Sequence, residues 1–112
     1  MAKVIITKAL KEEMFRKFGA LAENLFLKMK SLEQQPQRGK AIGNVDGIVI
    51  KELKEGKFRF YCVTEGHRLK FGTEDELASL LIKFVKMSDK KDQQKAIDSV
   101  KHLLQTLGFD AF

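Results

Sequence analysis

Two runs of strand-forming residues, Ile48 to Lys54 and Lys57 to Thr64, are separated only by Glu55-Gly56, and this spacing constrains the chain more than any other feature. Runs joined by so short a link pair as an antiparallel hairpin, and residues directly opposite one another then point to the same side of the sheet. With a two- or four-residue connection, Leu53 faces Phe58, Lys51 faces Phe60 and Val49 faces Cys62 on one side. Glu52 faces Arg59, Lys54 faces Lys57 and Ile50 faces Tyr61 on the other. A three-residue connection would instead place Glu52 among Ile48, Ile50, Phe58 and Phe60 without a partner, which costs several kcal/mol. The first register is therefore expected, with one apolar face and one wet, polar face. Lys51, at the margin of the apolar side, is expected to extend its stem to water.

Around this hairpin the periodicities predict an α+β chain. Lys3 to Thr7 reads as a short strand, and Thr7 caps a helix to Phe18 with Leu10, Met14 and Phe18 on one stripe. Gly19 interrupts it. A second helix, about Ala20 to Gln34, carries Leu21, Leu25, Met29 and Leu32 and is ended by Pro36, because a residue before proline disfavours helical geometry. Gln37 to Gly47, with three glycines, reads as a loop that offers Arg38 and Lys40 to phosphate. A second pivot at Glu65-Gly66 leads to a third strand, His67 to Gly72, which makes a three-stranded antiparallel meander.

Thr73 to Glu76 has the form of a capping box. Leu80 to Met87 fits a helix or a buried strand equally well, and periodicity leaves the two open. After Ser88 or Asp89 as cap, Ala96, Ile97, Val100, Leu103, Leu104 and Leu107 mark a long amphipathic helix closed by Gly108. The tail exposes Phe109 and Phe112 unless it docks. The expected fold is a small antiparallel sheet packed on an N-terminal helical hairpin with a long C-terminal helix, in one domain over residues 1–112.

A chain of 112 residues has room for one core, and 44% hydrophobic with 32% charged residues is an ordinary globular balance. No stretch approaches the roughly 18 unbroken apolar residues that span a bilayer, and the N-terminus has only three consecutive strong hydrophobes. A cytoplasmic protein with no membrane contact is expected. Cys62, alone in the sequence, has no disulfide partner and no ligand companions, and reads as a core side chain. Neither a metal nor a small-molecule cofactor is called for. The excess of 21 Lys and Arg over 15 Asp and Glu, a net charge of +6, favours encounter with a polyanion, although a solubilising surface has the same composition.

The polar side of the hairpin carries the chemistry. Glu52 can accept the proton of a ribose 2′-hydroxyl while Arg59 steadies charge developing on phosphate oxygens, with Lys54, Lys57 and Tyr61 beside them. The plain alternative is a solvated cross-strand ion pair worth under about 1 kcal/mol. Lys83, Lys86, Lys90 and Lys91 form a basic cluster suited to RNA backbone or simply to solvent. His67 and His102 read as exposed residues of a turn and a helix.

Gly39-Lys40-Ala41-Ile42-Gly43, Glu52-Leu53-Lys54, Phe58-Arg59-Phe60-Tyr61 and Phe84-Val85-Lys86 with its basic helical continuation resemble, in order and spacing, the RelE/ParE toxin superfamily over nearly the whole chain. The resemblance implies a sheet backed by two N-terminal helices and an antitoxin that wraps around it. RelE-like members cut messenger RNA within the ribosome by 2′-hydroxyl attack without metal, whereas ParE-like members poison a topoisomerase. Residue by residue, Arg59 matches the family's central-strand arginine, Lys54 a basic position, and Glu52 a position where some nuclease members carry a carboxylate.

The resulting expectation is an endoribonuclease with Glu52, Lys54 and Arg59 catalytic, and Arg38, Lys40, Lys57, Tyr61, Lys83, Lys86, Lys90 and Lys91 holding RNA. Its partners would be RNA, the ribosome and a cognate antitoxin. This chain departs from compact members by about a dozen residues, Gly72 to Lys83, and no tyrosine follows Tyr61 to serve as the late acid. A non-catalytic RNA- or protein-binding module of the same fold, or a ParE-like topoisomerase inhibitor, is the alternative.

Overall fold

The computed structural model describes residues 2–112. In chain order it contains β1 (Lys3–Ile6), α1 (Lys8–Phe18), α2 (Ala22–Lys30), β2 (Lys40–Val45), β3 (Ile48–Glu55), β4 (Phe58–Glu65), α3 (Gly66–Phe71), α4 (Glu74–Ala78), β5 (Leu81–Asp89) and α5 (Gln93–Leu107). Short 3-10 turns at Gly19–Leu21, Ser31–Glu33 and Phe109–Ala111 flank α2 and follow α5. The strands form one sheet in the order β1-β5-β4-β3-β2. It is mixed rather than wholly antiparallel, because β1 runs parallel to β5 while every other pair is antiparallel.

α1 forms as its sequence predicts, whereas α2 spans only Ala22–Lys30 of the expected 20–34, with 3-10 turns at either end, and Leu21 is exposed rather than on the buried stripe. The Thr7 side chain accepts the Leu10 N–H at 3.4 Å, and Gly19 ends α1 with a positive φ of 58°. Leu10, Met14, Met29 and Leu32 then bury against Phe60, Cys62, Ile82 and Phe84 on one side of the sheet. α5 covers the other side, where Val100 and Leu104 pack on Val45, Ile50 and Val63, and Ala96 and Ile97 pack with Tyr61. The result is three layers, two helices and one helix on either side of a sheet that is buried on both faces. Phe109 and Phe112 do dock, half-buried against the α5 side of the core.

Several expectations are corrected. Residues 37–47 are not all loop, since Lys40–Val45 is the edge strand β2, paired to β3 through a two-residue turn at Asp46-Gly47. Those two residues have φ of 51° and 86°, the geometry of a type I′ hairpin turn. Residues 67–72 are not a strand. Residues 67–71 belong to the short helix α3, which Gly72 caps in extended geometry, because the place beside β4 is taken by the nine-residue β5, whose apolar run wins over the weak alternation of His67 to Phe71. The element over 80–87 is thus a strand.

The central hairpin keeps the expected parity but slides by two residues. Gly56-Lys57 forms the loop and Glu55 pairs with Phe58, so Leu53 lies opposite Phe60, Lys54 opposite Arg59 and Glu52 opposite Tyr61. Gly56 takes the first loop position with φ of 59°, which a residue bearing a Cβ rarely adopts. Glu55 is held at the end of the strand by Lys28 Nζ at 2.7 Å. Ser88 and Asp89 end β5, and the N-cap of α5 is Asp92, whose own N–H donates to Asp89 Oδ1 at 2.9 Å. Lys51 does not reach water: it is 3% exposed and its Nζ donates to the Pro36 carbonyl at 2.7 Å.

Candidate functional site

The ladders place the predicted polar residues in two neighbouring rows on the α5 side of the sheet. Lys40, Glu52, Tyr61 and Lys86 lie directly opposite one another across β2, β3, β4 and β5. Lys54, Arg59 and Ser88 form the next row across β3, β4 and β5. A slip of two residues leaves every side chain on its original face, which is why the constellation survives the register correction.

Within these rows Arg59 Nε lies 3.6 Å from Glu52 Oε1, and the second carboxylate oxygen, Oε2, accepts from Gln93 Nε2 at 2.7 Å. Arg59 Nη1 also donates to the carbonyls of Gly56 and Phe58 at 3.1 and 3.2 Å, which ties the guanidinium to the hairpin turn. The Tyr61 hydroxyl bonds Ser88 Oγ at 2.7 Å, and burial raises its pKa above the usual phenolic value. Tyr61 therefore stays a neutral hydroxyl and cannot contact a ligand directly, being fully buried.

The centre of the face is not wet, contrary to expectation, although Lys40 and Lys54 at its margin remain exposed. The first turn of α5 lies over it, and the side chains of Arg59 and Glu52 retain only 7% and 10% of their exposure. Sequence reasoning missed Gln93 and Ser88, the hydrogen-bond partners of Glu52 and Tyr61. The signal was present in the amphipathic pattern of α5, whose apolar stripe had to cover one sheet face, but which face lies beyond any local pattern.

The other predicted residues divide by position. Lys54, Lys57, Lys90 and Lys91 are exposed around the hairpin tip, and the Lys90 N–H donates to the Lys57 carbonyl at 3.1 Å. Phe18 meets Phe58 edge-on at 4.9 Å, bringing the end of α1 to the same tip, so that Lys17 and Lys57 each place Nζ 5.5 Å from the Phe58 ring. Lys83 is separated from this group. It faces the C-terminal tail, with Nζ 4.4 Å from the Phe109 ring and 3.5 Å from the Phe109 carbonyl. Arg38 is exposed near the end of α2, where Nη1 donates to Ser31 Oγ at 3.3 Å. His67 and His102 are exposed.

Among the described residues, no group of three or more His, Cys, Asp and Glu side chains is arranged to hold a metal ion, and no helix is long and apolar enough to cross a membrane. The fold and site define an α+β domain with a mixed five-stranded sheet and a closed carboxylate–guanidinium pair at its basic end. Compared with protein-family models, curated proteins and solved structures, the chain matches none of them.

Proposed function

We propose that this chain is an RNA-targeting domain of the RelE/ParE type that grips the RNA backbone with the basic end around the β3–β4 hairpin. One observation carries the reading: Lys17, Lys54, Lys57, Lys90 and Lys91, exposed and drawn from three separate parts of the chain, converge around the hairpin tip beside Arg59. Exposed ammonium groups at that density attract phosphate and release its counterions. The partner that would neutralise this end in the absence of RNA is an acidic protein, the role an antitoxin plays for such toxins.

Cleavage is the second reading, favoured by the contact between Glu52 and Arg59. A base and a cationic stabiliser on one face suit metal-independent attack by a ribose 2′-hydroxyl within ribosome-bound messenger RNA. With both side chains nearly buried and Glu52 Oε2 occupied by Gln93, that chemistry requires the start of α5 to lift away. Binding without cleavage is therefore what the closed geometry supports best.

The test is the salt dependence of binding to a single-stranded RNA. The wild type is expected to lose affinity steeply as salt rises, and the triple variant Lys54→Ala/Lys57→Ala/Lys90→Ala to bind more weakly, with its slope reduced by roughly 0.7 for each phosphate that is no longer neutralised. Identical slopes for the two proteins would remove the basis for this assignment. Incubation of RNA with ribosomes and either wild type or Arg59→Ala, each checked for folding, decides between binding and cleavage.

A further inference from the structure

Between α1 and α5, alongside the last residues of β5, lies a cleft of about 310 Å³. It exists because β1 is short: the β1–β5 ladder ends at Ile6 opposite Phe84, whereas β5 continues to Asp89. The outer edge of β5 beyond Phe84 thus runs past the end of β1. Small-molecule sites occupy roughly 300–1,000 Å³, so this cleft is at the size of a single small group.

Its lining is of mixed sign. Lys17, Lys86 and Lys95 bring ammonium groups, and Glu13, Asp89 and Asp92 bring carboxylates. A purely anionic ligand would meet as much repulsion as attraction. A ligand that combines a phosphate with neutral hydroxyl and N–H donors satisfies both sets, and a ribonucleotide has that composition. Ser88 forms part of the wall, and its hydroxyl is held by the buried Tyr61 hydroxyl; when Tyr61 is the donor, the Ser88 O–H is free to donate into the cleft. Ser88 is also the ladder neighbour of Arg59, so the cleft adjoins the basic end.

The geometry points to this cleft as a seat for one ribonucleotide, its phosphate on Lys86 and Lys95 and its sugar hydroxyls and base N–H groups on the carboxylates. This rests on the RNA reading and specifies it: one nucleotide of the bound strand leaves its neighbours and enters the cleft while the hairpin lysines hold the backbone. Carboxylates that accept a 2′-hydroxyl make the site favour ribose over deoxyribose.

The test uses the four ribonucleoside 5′-monophosphates, their 2′-deoxy counterparts and inorganic phosphate, each titrated into the full-length protein while backbone amide signals are recorded. Ribonucleotides are expected to shift the signals of residues 86–89, 95 and 99, and deoxyribonucleotides and phosphate to shift them less. Ser99→Leu, which fills the cleft without removing a charge, is expected to abolish the shifts. Lys95→Gln, at an exposed position where folding is not at stake, is expected to weaken them about tenfold, as befits the removal of one charge-assisted hydrogen bond. RNA binding with no ribonucleotide shift in the cleft, or with both variants behaving as wild type, overturns the inference and leaves the RNA reading intact. Mononucleotide binding in the cleft without RNA binding overturns the RNA reading instead and leaves a site for a free nucleotide.

Discussion

Glu52 and Gln93 are 41 residues apart in sequence, yet Gln93 Nε2 donates to Glu52 Oε2 at 2.7 Å, and this bond fastens the start of α5 over the carboxylate that Arg59 also approaches. An ion pair so nearly enclosed loses hydration on both partners and depends on its remaining hydrogen bonds to compensate. Removing one member leaves the other charged and without water.

Arg59→Ala is accordingly expected to cost about 3 kcal/mol or more, while Glu52→Gln with Arg59→Met together costs less than the sum of the two single changes. Urea unfolding of the wild type, the two single variants and the double variant measures this. Additive effects within a few tenths of a kcal/mol would show that the two side chains do not interact.

Lys51 makes stability depend on pH. Burial lowers its pKa from the ordinary 10.5. In the window between the lowered folded value and 10.5, the unfolded chain holds a proton that the folded chain has released, so stability rises with pH there. In a Cys62→Ala background, which removes the neighbouring thiol, unfolding followed from pH 8 to 10.5 should show that rise. Adding Lys51→Met should flatten it, and a persisting slope would assign the effect to another group.

Cys62 acts in the opposite sense. Burial pushes its thiol from 9.0 up to about 12, so above pH 9 the unfolded chain releases a proton that the folded chain retains, and stability falls as pH rises from 9 towards 12. Near pH 8 the native thiol should react with iodoacetamide only through opening, and the destabilised Arg59→Ala protein should react faster. Rapid, complete labelling of the native wild type would contradict the burial.

Gly56 is open to solvent on the side where a Cβ would project, so a substitution there meets backbone strain alone. Gly56→Ala is expected to cost about 1–2 kcal/mol through the positive φ, and thermal unfolding reads it directly. Thr73→Ala, which removes the hydroxyl that accepts the Glu76 N–H at the start of α4, is expected to cost about 1 kcal/mol. An unchanged melting temperature for Gly56→Ala would mean that the loop can shift its turn.

Much of this architecture was legible in short patterns. Thr7 as a cap, Gly19 and Gly108 as stops, the alternation of β3 and β4 and the stripe of α5 each encode their element within a few residues, because caps, turns and amphipathic periods are local interactions. Asp46-Gly47 carried an equally local signal, a hairpin dipeptide between β-formers, and the three glycines of residues 37–47 masked it. The shared face of Glu52, Lys54, Arg59 and Tyr61 was legible too, since strand parity survives any even slip in register.

What the amino acids alone determined, then, is which side chains lie on a common face. Whether that face meets water was decided by tertiary structure. β5 had to take the place beside β4, displacing residues 67–71 into a helix, and its end had to deliver α5 across the polar rows so that its apolar stripe could bury Val63, Ile50 and Tyr61. Hydrophobic burial is non-directional and sums over the whole chain, so no local pattern specifies which face a distant helix will cover. That choice converted an exposed row of charges into a closed pair and opened the cleft beside β5.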